Sequence, residues 1–230
     1  MNMNDLRPAK DFACRFGVKC IIYGPPGSGK TPLINTAPRP VLLVTEPGML
    51  SMRNSTVPTF QAFSGKLIDD FFTWFFTSAE SKNFDTIAID SISQLADVYL
   101  QEALKGISKS GQKKHGLAAY GEMATNALEH LNALYFTQHK HTYLVAKQEI
   151  ISENGLTLKR PYFPGKQLPV EMPHKYDEIL QLDIQNIPGY GQYKAFRCIG
   201  SIDCTARDRT GMLNEFEPPD FSALVKKAMQ

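Results

Sequence analysis

The sequence predicts an α/β fold, a mainly parallel central sheet flanked by helices with an antiparallel β-hairpin near its C-terminus. Three observations carry that prediction. Short apolar runs alternate with helical stretches over the first 150 residues, a glycine-rich loop joins the first run to a brief helix, and beyond residue 149 the pattern changes to strict apolar–polar alternation around a turn. Strands separated by helices pair in parallel and need cover on both faces, which explains why the early runs are apolar throughout.

Taken in order, VKCIIYG (18–24) is a buried strand that ends on glycine and feeds a loop and the short helix TPLINTA. PRP closes that helix, and VLLVT (41–45) is a second buried strand. In KLIDDFFTWFFTSAE, Leu67, Ile68, Phe71, Phe72, Phe75 and Phe76 recur at helical spacing, and Trp74 with its neighbours reads as core or interface. FDTIAID (84–90) is a third strand, ending on an aspartate. A helix follows from about Leu117 to Gln138, then the strand TYLVAKQ (142–148). YDEILQLDIQ and QYKAFRCIGS alternate across NIPGYG, the signature of a hairpin appended to the sheet, and DFSALVKKAMQ closes the chain as an amphipathic helix.

Composition sets outer bounds. The 230 residues are 43% hydrophobic, enough for a sizeable core in one domain. Lys and Arg (25) barely exceed Asp and Glu (23), so a polyanionic partner requires a local patch rather than bulk charge. No signal-peptide core and no run near the ~20 apolar residues of a membrane span are visible, so a cytoplasmic protein is expected. Cys14, Cys20, Cys198 and Cys204 match neither a zinc knuckle nor a disulfide scaffold and read as reduced thiols. His139 and His141 lack further ligands at metal spacing.

GPPGSGKT supplies the first chemistry. Gly24, Gly29, Lys30 and Thr31 satisfy GxxxxGK[ST], with Pro25, Pro26, Gly27 and Ser28 between. Glycines let backbone N–H groups turn inward around phosphate oxygens, and the following helix start adds a positive dipole end. Lys30 is placed to reach the β and γ phosphates of ATP. Thr31 and Asp90, the aspartate closing the third strand, are candidate Mg²⁺ ligands. Pro32 suits a first helical turn but disfavours helical geometry at Thr31, so either the Thr31 hydroxyl is displaced or the helix starts one residue late.

The motif alone looks like an AAA-type ATPase, in which a glutamate normally follows the Walker B aspartate; here Ser91 follows. Glu46 ends the second strand, which can lie beside the phosphate-loop strand, and so reaches the carboxyl edge where α/β sheets bind ligands. With these residues the chain resembles the RecA-like ATPase core. VLLVTE resembles the strand ending in the catalytic glutamate, TIAIDSIS the Walker B strand, HGLAAYGEMATNALEHLNAL the helix after the first DNA-binding loop, and YLVAKQE the strand ending in a γ-phosphate-sensing glutamine. The likeness covers residues 18–150. TEPGMLSM and ARDR look closer still to small phage-encoded P-loop proteins of the single-strand annealing or recombination type.

That resemblance implies Glu46 as general base, Asp90 as the magnesium aspartate and Gln148 as nucleotide switch. It also implies a homo-oligomer, ring or filament, in which Arg207 or Arg209 reaches a neighbour's γ-phosphate, with a single-strand-binding protein as a further partner and a bacterial host cytoplasm as the setting. The single domain divides into a nucleotide-binding core (1–150) and a hairpin-and-helix extension (151–230). Lys105, Lys109, Lys113 and Lys114 lie where the family places its first DNA loop, and Lys159, Arg160 and Lys166, near Tyr162 and Phe163, follow Gln148. Such lysine-rich, aromatic-interleaved segments suit single-stranded DNA. The competing readings are an AAA-type helicase loader or remodeller, which requires an acidic residue after Asp90 and a helical lid, and a small-molecule kinase, which requires an arginine-rich lid. A nucleotide-gated binding module that does not hydrolyse ATP is a fourth.

Overall fold

The computed structural model describes residues 6–109, 116–153, 155–187 and 189–230. In chain order the elements are α1 (Lys10–Ala13), β1 (Lys19–Gly24), a 3-10 helix (Pro32–Thr36), β2 (Pro40–Val44), a 3-10 turn (Leu50–Met52), β3 (Thr59–Gln61), α2 (Gly65–Thr77), another 3-10 turn (Glu80–Asn83) and β4 (Thr86–Asp90). Then come α3 (Ile92–Lys109), α4 (Gly116–Phe136), β5 (His141–Glu153), β6 (Leu156–Pro161), α5 (Leu168–Lys175), β7 (Glu178–Ile187), β8 (Gly191–Arg197), β9 (Arg207–Asp208), β10 (Phe216–Glu217) and α6 (Phe221–Ala228).

The strands form one sheet in the order β10-β8-β7-β1-β5-β4-β2-β3, with β6 on β5 and β9 on β7. From β7 to β3 the pairing is parallel, and β8 and β10 continue it antiparallel. Both faces are covered, as the apolar strands require. On one face Ile21, Tyr23, Leu43, Ile87 and Ile89 pack under α2, α3, α4 and α5 through Phe72, Leu95, Leu131 and Met172. On the other, Cys20, Ile22, Leu42, Val44 and Tyr143 pack against Ile34 of the first 3-10 helix and Phe221 and Leu224 of α6. Caps fix two of these helices: Ser64 Oγ accepts from Leu67 N at the start of α2, and Asp220 Oδ1 from Ala223 N at the start of α6.

Two sequence expectations change. The strand ending before Glu46 does not lie beside the phosphate-loop strand: β5 and β4 stand between β2 and β1, and β2 pairs with β4 and β3. Hydrogen bonding decides this, because β1 is satisfied on both edges by β5 and β7. The expected antiparallel hairpin is present and extends the sheet, its first strand pairing in parallel with β1. Finally, β5 does not stop at Gln148 but runs on to Glu153 and folds back as an antiparallel hairpin with β6. No described helix is long and apolar enough to cross a membrane.

Candidate nucleotide site

β1 ends at Gly24 against the backbone of β7, so closely that a Cβ there would stand 2.1 Å from the Leu182 carbonyl oxygen. Only glycine fits. Gly27 and Gly29 then take φ of 78° and 93°, which turns the chain over the carboxyl end of the sheet. Lys30 Nζ folds back into this loop, donating to Gly24 O (2.8 Å) and Pro25 O (3.0 Å), with Ser28 Oγ at 3.4 Å. Burial lowers the Lys30 pKa, and the charges of Asp90, Glu46 and Asp183 oppose that shift.

Thr31 keeps helical backbone angles in spite of the proline that follows, and the 3-10 helix starts at Pro32. The late helix start is therefore the outcome, and the Thr31 hydroxyl remains in place, donating to Asp90 Oδ2 at 2.5 Å. Asp90 is buried at the end of β4, and the Asp90–Ser91 peptide bond is cis. Burial raises its carboxyl pKa above the ordinary range and Glu46 adds to the rise, while the Thr31 bond and Lys30 restrain it.

Glu46 follows β2 and is positioned by Thr45. The Thr45 hydroxyl accepts from Ser91 N (3.0 Å) and donates to Ser91 O (2.9 Å), while Thr45 N donates to Asp90 O (2.9 Å). These bonds fasten the end of β2 to the end of β4, so the half-buried Glu46 stands near enough for its charge to act on Asp90, Lys30 and Asp97. The set fits ATP with Mg²⁺: a cradle only glycines can form, a lysine whose present acceptors are loop carbonyls, and a hydroxyl–carboxylate pair already in contact. Two carboxylates crowded beside one lysine also favour a divalent cation between them.

Gln148 follows the residue that pairs with Gly24 and is bonded to β7. Its Oε1 accepts from Gln181 Nε2 (3.2 Å), and Gln181 in turn accepts from Cys204 and Gln185. Its neighbour Lys147, which the motif reading passed over, pairs in register with Gly24 and is held by Gln94 Oε1 (2.7 Å) and Asp97 (3.7 Å). Arg207 and Arg209 do not join the phosphate loop. They lie at the opposite end of β7, where Arg207 donates to Tyr176 O, and Arg209 to His174 O (2.6 Å) and Asp177 Oδ1 (3.3 Å).

Of the basic residues proposed for DNA, Lys113 and Lys114 lie outside the described residues. Lys105 is exposed on α3, and Lys109 ends that helix. Lys159 and Arg160 sit on β6, with Arg160 bound to Glu149 at 2.8 Å. Phe163 belongs to the main core, so base stacking is closed to it, whereas Tyr162 is half-buried. Lys166 lines a groove of about 390 Å³ with Leu117, Tyr120 and Met123 of α4.

A family model described as an AAA domain matches residues 17–210. The chain belongs to that AAA-domain family. Its glycine-rich loop after β1 and its mainly parallel sheet give it the α/β fold of RecA-like P-loop domains. Within this AAA domain Ser91 replaces the usual acidic residue, and strands β7 to β10 with the short helices α5 and α6 stand where a remodeller's helical lid is expected. No curated protein matches the chain. Among solved structures it is similar to a KaiC-like protein, PH0186, from the hyperthermophilic archaeon Pyrococcus horikoshii OT3, with 13% identity over 79% of this chain and 77% of that one and a TM-score of 0.39. It is also similar to a prototypical ATPase from the type III secretion system of pathogenic bacteria, with 13% identity over 86% of this chain and 58% of that one and a TM-score of 0.45.

Proposed function

We propose that this AAA domain is an ATPase that hydrolyses ATP with Mg²⁺ and acts on single-stranded DNA in phage recombination or strand annealing. The observation that carries the catalytic part is the fastening of Glu46 to the Asp90–Ser91 strand end through Thr45, beside Lys30 and Thr31. Lys30 leaves the Gly24 and Pro25 carbonyls for the β and γ phosphates, Glu46 accepts a proton from the water that attacks the γ-phosphorus, and the bond from that phosphorus to the β–γ bridging oxygen breaks in line with the attack, releasing ADP and inorganic phosphate. Thr31 and Asp90 would hold Mg²⁺, which when bound neutralises phosphate charge. Expected for Glu46→Gln is retained ATP binding with turnover nearly abolished; unchanged turnover would remove Glu46 from the mechanism.

The DNA part is supported by Lys105, by Lys166 beside α4, and by the lysine-rich sequence between α3 and α4. Binding of this kind weakens steeply with salt. A salt titration of single-stranded DNA binding with ATP, with ADP and without nucleotide tests it: binding strongest with ATP is expected, and failure in all three would leave the ATPase and remove the recombination role. We further propose a homo-oligomer of this single-domain chain in which Arg209, half exposed where the Arg207 Nε is buried, meets a neighbour's nucleotide. Mixing Lys30→Ala and Arg209→Ala chains should then restore part of the activity that each lacks.

A further inference from the structure

The motif reading leaves the β7–β8 hairpin without a part in the site, yet the structure brings one of its lysines onto the phosphate loop. Leu182 of β7 pairs with Phe196 of β8, and Ile184 with Lys194. Phe196 is fully buried in the core cluster on the face that carries Ile34 and α6. Lys194 lies two residues before it, on the same face of the strand. Since Leu182 also touches Gly24, the hairpin seats Lys194 over the loop: its Nζ stands 3.0 Å from where a Cβ on Gly29 would be.

Lysine ammoniums are strongly hydrated and repel one another, so two that share one loop favour an anion between them. Among the described residues, neither Lys194 nor Lys30 has a carboxylate oxygen within 4.0 Å. Asp183, the nearest acidic neighbour on β7, acts on Lys30 through its charge, while its Oδ1 accepts from Ile184 N at 2.8 Å. Two lysines thus lie against one glycine-rich loop, Lys30 on its Gly24 and Pro25 carbonyls and Lys194 beside Gly29, and glycine-rich turns of this kind suit phosphate oxygens.

We propose that Lys194 is a second phosphate-binding lysine, acting in cis on the polyphosphate chain of the nucleotide held by its own loop. This rests on the nucleotide-binding reading above and adds to it a residue outside the Walker motifs. Because Lys194 comes from β8, the hairpin becomes part of the site, and nucleotide binding is coupled to the strands that lie next to β1.

The test is titration with a fluorescent ATP analogue of the wild type, Lys30→Ala, Lys194→Ala and Lys194→Arg. Lys194 is exposed, so its substitution should leave the melting midpoint unchanged. Loss of a charge-assisted contact predicts about ten- to hundredfold weaker binding for Lys194→Ala, largely recovered in Lys194→Arg, and a shallower salt dependence. Binding by Lys194→Ala within twofold of wild type, while Lys30→Ala loses it, overturns the proposal and leaves the nucleotide site standing. Recovery of tight sites on mixing Lys30→Ala with Lys194→Ala chains overturns action in cis. Absence of binding by the wild type removes the nucleotide reading, and this proposal with it.

Discussion

Pro32 is where the sequence and the backbone pull against each other. A residue before proline is pushed toward extended angles, but Thr31 is helical. The neighbouring bonds show what overrides the preference: Leu33 N donates to Gly29 O (3.2 Å), Ile34 N to Thr31 O (3.1 Å), and the Thr31 hydroxyl is fixed on Asp90. The proline falls at N1, where no intrahelical acceptor is required, and the helix tightens to 3-10 geometry behind it. Its contribution is then to restrict the unfolded chain. Pro32→Ala should lower stability by about 0.4–1 kcal/mol and change ATP affinity less than twofold, as followed by thermal melting and nucleotide titration. A tenfold loss of affinity would show instead that the ring positions Thr31.

At the scale of elements, the strand end that carries Glu46 depends on a side chain no motif marks. Thr45→Val keeps the shape but leaves the buried Ser91 N–H without a partner, a cost of about 1–3 kcal/mol, while Leu95 N still donates to the Ser91 carbonyl. If the clamp positions Glu46, kcat should fall at least tenfold with KM changed much less, and Thr45→Ser should recover most of it; equal loss of kcat in both variants would point to general destabilisation. Thr45 could not be singled out from sequence because its partner lies 46 residues away and pairs through the sheet. Other parts were legible. The phosphate loop, β1, β2, β4 and α2 follow from local pattern, whereas α3 was passed over although Ile92, Leu95, Ala96, Tyr99 and Ala103 keep helical spacing and are buried. The Asn154–Gly155 pair is likewise a hairpin signal in the sequence that follows Gln148. The place of β2 in the sheet was not readable, since apolar strands of similar length give no local mark of their neighbours. α5 was hidden by Pro169 and Pro173, which lower helix propensity while the core holds Leu168 and Met172.

Across the whole molecule, the end of the sheet away from the nucleotide site holds an ionisable group that sets a pH dependence of folding. Glu178, at the start of β7, is fully buried, and among the described residues neither carboxylate oxygen has a hydrogen-bond partner. It stands opposite Asp208 of β9, whose carboxylate accepts from Thr210 N, Gly211 N and Leu213 N, and beside Asp177, which is engaged by Lys19 N and Arg209. Burial first, then the Asp208 charge, pushes the Glu178 carboxyl up to about 9. In the unfolded chain a glutamate titrates near 4.3. Between those values the native state holds a proton that the unfolded state has released, so stability from this group is complete below the unfolded pKa and is lost as pH rises toward 9. The slope is at most about 1.4 kcal/mol per pH unit for one proton. Glu178→Gln keeps the shape and removes the titration. Urea unfolding of both proteins from pH 5 to 9 should show the variant gaining on the wild type throughout, ahead by more than about 1 kcal/mol at pH 8. Asp90 and Asp177, also raised by burial, remain in both chains and cancel in the difference. Parallel curves would mean that Glu178 is already ionised in the fold and that its surroundings accommodate the charge without a bound proton.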